Sequence, residues 1–358
     1  MIDRPPRTAA LGSTSKTLII LATLIVIAAG IKAAEALMVP FLLAAFIATI
    51  ASTPVFWLER HRVPAGISIA LVMLGIIVMI TGVGAVVAQS AGAFTDRLPF
   101  YQARLTELVQ TAVAYVEMTG LNVSEETLLS YFDPGTALVM AGNTLRGLGG
   151  ALSNGFLILL TVIFILAEAS SFPRKLQEVL ADPDSDLPYF VRFAENVNRY
   201  IGIKTTISVI TGILVGLMLA VLGVDFPALW GLLAFLLNYV PTIGSLIAAI
   251  PAMLLALIQL GPLTAAVAGI GFFVINVLMG NVVEPRYMGR GLGLSTLVVF
   301  VSLVFWGWML GPVGMLLSVP LTMTAKIAME ANPSSEWLAV LLGPADRTPD
   351  AAPADNQT

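Results

Sequence analysis

Apolar residues fall along this chain in long blocks separated by short polar links. A helix that crosses about 30 Å of hydrocarbon needs about 20 apolar residues. The blocks at residues 17–34, 36–58 and 64–89 have that scale and predict three closely linked transmembrane helices, grouped as residues 17–89. Lys32 and Glu35 mark the first link, and Glu59-Arg60-His61-Arg62 the second.

The pattern changes at residues 90–146, where Asp96, Arg97, Arg104, Glu107, Glu117, Glu125, Glu126 and Asp133 gather. Leu105, Leu108, Val109, Ala112, Val113 and Val116 recur at helical spacing, predicting an amphipathic helix over 98–118. Asn122-Val123-Ser124-Glu125-Glu126 has the composition of a helix start. The segment is therefore expected to be a small extramembrane helical insert. A fourth span is predicted at 147–169. A basic insert follows at 170–204, with Arg174, Lys175, Arg192, Arg199 and Lys204, and a turn at Asp182-Pro183-Asp184-Ser185-Asp186. A fifth span is predicted at 205–222.

Residues 226–260 are apolar for roughly twice the length of one short crossing. They are interrupted by Asn238-Tyr239-Val240-Pro241-Thr242-Ile243-Gly244-Ser245. Proline removes a helix hydrogen bond and glycine permits a sharp turn. A hairpin dipping into the membrane, with 241–244 at its tip, is the expected form. A sixth span at 262–283 ends at Glu284-Pro285-Arg286, and the block at 292–325 is again over-long and broken at Gly311-Pro312. The fold class expected is thus an all-α polytopic membrane protein with about six full spans and two broken, re-entrant hairpins. Residues 205–330 form its core. In the tail, 331–358, Trp337 to Leu342 suit a membrane surface. The Ala-, Asp- and Pro-rich stretch 344–358 suits a disordered end.

Composition agrees with this pattern. The 358 residues are 58% hydrophobic and only 11% charged, too apolar for one water-facing globule. Residues 1–16 lack the features of a cleaved leader, so the first span is expected to stay. Lysine and arginine favour cytoplasmic loops. With residues 1–16 inside, the Arg60–Arg62 loop and the 170–204 insert also fall inside, and the acidic insert falls outside. A hairpin at 226–260 then puts Arg286, Arg290, Lys326 and the C-terminus inside as well.

Candidate chemistry is defined partly by absences. There is no cysteine, and His61 is the single histidine, in a charged loop. No Gly-Lys pair exists, so the chain has no phosphate-binding loop for ATP. No catalytic residue, metal site or cofactor is expected, and a net charge of -4 gives no reason to expect nucleic acid. Irregular backbone at membrane depth is tolerated where it is buried or lines a wet cavity. Asn238, Pro241, Thr242, Gly244 and Ser245 are therefore candidates for a solute pathway, against the plainer reading of a turn between two short spans. Asn276 and Asn281 join them, the plainer reading being hydrogen bonds between helices. At three residues' spacing, Asn281 and Glu284 share a helix face. Glu284 and Arg286 are candidates for a gate or ion coupling, or for a local ion pair at a helix end. Glu168 is a third ionisable candidate, weighed against an acid snorkelling to the interface. Asp225 reads as a helix cap, and Gly212 and Gly216 as a close helix contact.

Several of these stretches resemble the autoinducer-2 exporter family of permeases. They are 238–245, Asn281-Val282-Val283-Glu284-Pro285-Arg286-Tyr287-Met288-Gly289, Leu292-Gly293-Leu294-Ser295 and Gly311-Pro312-Val313-Gly314-Met315-Leu316-Leu317-Ser318-Val319-Pro320. The resemblance covers nearly the whole chain. It implies a bacterial inner-membrane permease without ATPase parts. The solute it suggests is autoinducer-2, a small, polar, furanone-like quorum-sensing signal. It also implies that sodium/proton antiport and a homo-oligomeric state are to be considered. Three readings follow: a transporter of a small polar solute, with the lipid bilayer as its other partner; a cation/proton antiporter; and a non-transporting scaffold that binds through the acidic insert.

Overall fold

The computed structural model describes residues 13–118, 155–169, 171–172, 175, 178, 183–241, 244–288, 293–330 and 335–343. Among them every regular element is a helix. Helices α1 (Ser13–Ala33) and α2 (Glu35–Arg60) follow one another directly, joined through Ala34. They are followed by α3 (Ala65–Met118), α4 (Gly155–Ala169) and α5 (Pro183–Val221). The second half contains α6 (Pro227–Leu237), α7 (Gly244–Leu260) and α8 (Pro262–Asn276). A π-helical segment (Val277–Val283) then runs into α9 (Glu284–Met288), with α10 (Thr296–Glu330) and α11 (Glu336–Leu342) completing the chain.

Among the described residues, five stretches are long and apolar enough to cross a membrane: 35–60, 65–111, 194–221, 262–287 and 296–330. Their outer surfaces carry exposed Phe41, Val78, Leu217, Phe273 and Val304. Water would penalise such faces and lipid does not. This is a multi-pass α-helical membrane protein.

Both expected breaks are present. Residues 238–243 separate α6 from α7, and Gly311 interrupts α10 with φ 63° and ψ -150°. Helix α6 has 11 residues and α7 has 17, about 16 and 26 Å at 1.5 Å per residue, both short of the about 30 Å of hydrocarbon. The base of this first hairpin is closed where the Asp225 amide donates to Gln259 Oε1 at 2.9 Å. The base of the second is closed where Lys326 Nζ donates to the Gly293 carbonyl at 2.7 Å. The crossing stretch 262–287 runs from one base toward the other. The two hairpins therefore enter from opposite ends of the bundle, and each tip points toward the other's base.

Two elements differ from the sequence expectation. The span at 64–89 and the amphipathic helix at 98–118 are one uninterrupted helix of 54 residues, about 81 Å long. The polarity shift at residue 90 marks where the helix stops being purely apolar, not where it ends. Helix α5 likewise begins at Pro183, inside the basic insert, rather than at residue 205. The stretches 119–154 and 344–358, with their expected cap and tail, lie outside the described residues.

Glycine sets the tightest crossing. A Cβ on Gly212 would lie 2.7 Å from the Gly231 carbonyl oxygen, and one on Gly231 2.6 Å from that of Gly212. The Gly212/Gly216 pair thus lets α5 and α6 touch backbone to backbone. Around this contact a core of Val215, Leu219, Trp230, Leu233, Ala248 and Phe272 fixes the first hairpin against α5 and α8.

Candidate functional site

The first tip is held by a polar strip on α5. Asn238 Nδ2 donates to Ser208 Oγ at 2.9 Å, and Tyr239 Oη donates to Thr205 Oγ1 at 2.8 Å. Ser208 is fully buried and Tyr239 is nearly so. Tyr239 also packs edge-on against Phe46 of α2 and Phe235 of α6. Backbone chemistry explains the turn. Pro241 has no N–H to offer the Leu237 carbonyl, which accepts instead from the Val240 amide at 2.9 Å. Gly244 restarts the helix so close to Leu237 that any Cβ would overlap that carbonyl oxygen.

One residue before Thr205, the same strip carries Lys204. Its ammonium bonds both carboxylate oxygens of Glu284, each at 2.9 Å. The side chains are 7% and 18% exposed, so the pair is shielded from water. Lys204 and Ser208 are four residues apart and share a helix face. A single stretch of α5 therefore grips the hairpin tip and, beside it, the end of the π-helical segment. Tyr200, one turn before Lys204, is buried among Phe46, Ile201, Leu317 and Met323.

The other predicted residues separate. Asn276 is half-buried and its side chain donates to its own helix, at the Phe272 carbonyl. Asn281 is exposed. The i→i+5 bonding of the Val277–Val283 segment widens the turn between Asn281 and Glu284 relative to the α-helical spacing that the sequence predicted. The local ion pair read into Glu284-Pro285-Arg286 is not the one formed: Glu284 pairs with Lys204, and Arg286 is exposed. Pro241 and Ser245 are half-buried at the tip, and Thr242 lies outside the described residues. Glu168 is exposed and paired with Lys175, at the edge of an apolar cavity of about 930 Å³ between α2, α4 and α5. That cavity is lined by Phe41, Thr49, Leu157 and Phe164 and includes neither Lys204 nor Glu284.

Asp225 is not the expected cap. The N-cap of α6 is Phe226, at φ 60°, and it makes no side-chain cap bond. The Asp225 carboxylate instead accepts from Arg97 at 2.5 Å and from Tyr101 at 2.7 Å, both on α3. Its carbonyl accepts the indole N–H of Trp230. This cluster braces the long helix against the base of the first hairpin.

Sequence reading missed the α5 side of the site. Lys204 registered only as one basic residue among five, Tyr239 only as part of the 238–245 motif, and Thr205 and Ser208 were not candidates. The available signal was the 204/205/208 spacing at the start of an apolar stretch, which sets three polar side chains on adjoining faces of one turn. Among the described residues no three of His, Asp and Glu gather as a metal site.

A family described as AI-2E family transporter matches residues 21–334. The chain belongs to that family. The AI-2E match includes both hairpins, the polar strip and the Glu284 motif. Among relatives, the AI-2 transport protein TqsA of Escherichia coli (strain K12) is 43% identical over 327 residues, 91% of this chain and 95% of the relative. The protein named Putative transport protein YhhT, from the same strain, is 39% identical over 324 residues, 90% and 93% of the two chains. A Haemophilus influenzae relative named as a transport protein of the same standing is 40% identical over 334 residues, 92% and 96%. This AI-2E chain is accordingly a membrane transporter, and the resemblance first seen in its motifs is borne out.

Proposed function

We propose that this AI-2E transporter moves a small, polar, uncharged solute of the autoinducer-2 kind across a bacterial inner membrane, with both termini in the cytoplasm. The observation that carries this reading is the polar strip Lys204, Thr205 and Ser208. It meets the first hairpin tip on one side and Glu284 on the other. Hydroxyl, amide and backbone groups freed at a helix break can replace the water around a polyhydroxylated solute. In this reading Asn238, Tyr239, Val240, Pro241 and Gly244 contact the solute. The Lys204–Glu284 pair closes the cytoplasmic side, because its two charges neutralise each other and leave nothing to hold a small ion. The name of the TqsA relative supports the choice of solute.

The test is flux of labelled autoinducer-2 in proteoliposomes. Transport that is lost in Asn238→Ala and Glu284→Gln and kept in Asn281→Ala is the expected result. Equal flux in all three would overturn the site. Sodium-dependent proton release in everted vesicles, abolished by Glu284→Gln, would replace the solute with a cation.

A further inference from the structure

The second hairpin tip contains a carbonyl whose regular helical donor is missing. Four residues after Trp308 stands Pro312, which has no N–H, so the Trp308 carbonyl lacks its helical partner. At the first tip the equivalent carbonyl, that of Leu237, is served locally by Val240. At the second it is served from another part of the chain. Lys32 Nζ, at the turn between α1 and α2, donates to the Trp308 carbonyl at 2.9 Å and to Glu35 Oε2 at 2.7 Å. Glu35 closes the other side of the tip. A Cβ on Gly311 would stand 3.3 Å from Glu35 Oε1, so the carboxylate lies directly over the glycine at the break.

We propose that Lys32 and Glu35 are positioning residues that clamp the tip of the second hairpin closed. The ammonium replaces the amide that Pro312 withholds, and the carboxylate holds that ammonium over Trp308 and Gly311. Both side chains are half-exposed, so water can take their place when the tip moves. The clamp joins the α1–α2 pair to the moving part of the transporter. It rests on the reading of the hairpin tips as part of the solute path.

The absence of native cysteine gives a clean probe. A single cysteine at Val313→Cys, beside the tip, is labelled with a membrane-impermeant maleimide in proteoliposomes. Lys32→Met is expected to speed labelling about tenfold, the size of losing one charge-assisted hydrogen bond. Lys32→Arg is expected to restore the slow rate, which also shows that the fold is intact. The decisive variant is the swap Lys32→Glu with Glu35→Lys. It keeps an ion pair but sets a carboxylate, which cannot donate, against the Trp308 carbonyl. The swap is expected to label as fast as Lys32→Met. A swap that labels at the slow rate, or a Lys32→Met that leaves the rate unchanged, would overturn the clamp. Fast labelling with unaltered solute flux would leave the clamp standing and remove the second tip from the pathway.

Discussion

The ammonium of Lys204 sits midway between the two carboxylate oxygens of Glu284, 2.9 Å from each. Eighty residues of chain and two hairpin limbs separate them in sequence, yet each is the other's shield against an apolar surrounding. Removing one partner of a buried pair strands a charge, which destabilises by about 3–5 kcal/mol, whereas removing both is often nearly neutral. Lys204→Met and Glu284→Gln are each expected to lower thermal stability in detergent by that amount. The double variant is expected to recover most of it. Under the proposed function its transport should stay lost, because the double variant lacks the pair proposed to close the pathway. Additive losses in the double variant would show that the two side chains act independently.

Gly244 separates packing from flexibility. A Cβ there overlaps the Leu237 backbone carbonyl, which no rotamer change can relieve. Gly244→Ala is expected to cost about 1–3 kcal/mol through overpacking and to reduce the folded, monodisperse fraction on size exclusion. Gly202→Ala, on α5, is the control. A Cβ there meets nothing within 4 Å. The replacement is expected to raise stability by up to about 1 kcal/mol, since alanine is the better helix former.

The Asp225 brace makes an ordered prediction. Tyr101 is fully buried, so losing its acceptor leaves a hydroxyl unsatisfied, at about 1–3 kcal/mol. Arg97 is 55% exposed and can turn to water. Asp225→Ala is therefore expected to destabilise more than Arg97→Ala, with Tyr101→Phe between them. Hydrogen exchange should rise in the part of α3 beyond residue 90 in the same order. Equal effects of the Asp225 and Arg97 variants would mean that the exposed ion pair, not the buried hydroxyl, carries the brace.

What the sequence discloses follows the range of the interactions involved. Pro241, Gly244 and Gly311-Pro312 act on backbone within a few residues, so both breaks are legible before any coordinates. Glu284 stands out as an acid at a span's end, but its partner is not legible, because Lys204 lies in a basic insert whose other charges mask it. Asp225 preceding an apolar helix has the composition of a cap, and tertiary contacts with Arg97 and Tyr101 override that local preference. The length of α3 is illegible for a different reason. Leaving hydrocarbon changes which side chains a helix prefers without ending its hydrogen-bond ladder, so a composition shift looks like a boundary. The π-helical segment carries no periodicity signal at all in a stretch that is apolar on most sides.

That π-helical segment supplies the last prediction. Seven residues, Val277–Val283, adopt i→i+5 bonding directly before Glu284. Such a segment holds one residue more than the α-helix that would replace it, and π turns are frequent where function needs a helix to give way. Gly280 lies within it, and its missing side chain fills no gap, since a Cβ there meets nothing within 4 Å. Deleting Gly280 should let the segment close into an α-helix while Glu284 stays in register with Lys204. The shortened protein is expected to be folded and at least as heat-stable as the parent. Adding Glu284→Gln should lower its stability as it does in the parent, which reports that the ion pair survives. Solute flux is expected to fall about tenfold or more, because the helix can no longer shift by one residue to release Glu284; a loss of about 1.4 kcal/mol in the opening equilibrium suffices for that. Full flux in the deletion variant would show the π turn to be a passive feature of the packing, with the gate opening by movement of α5 instead.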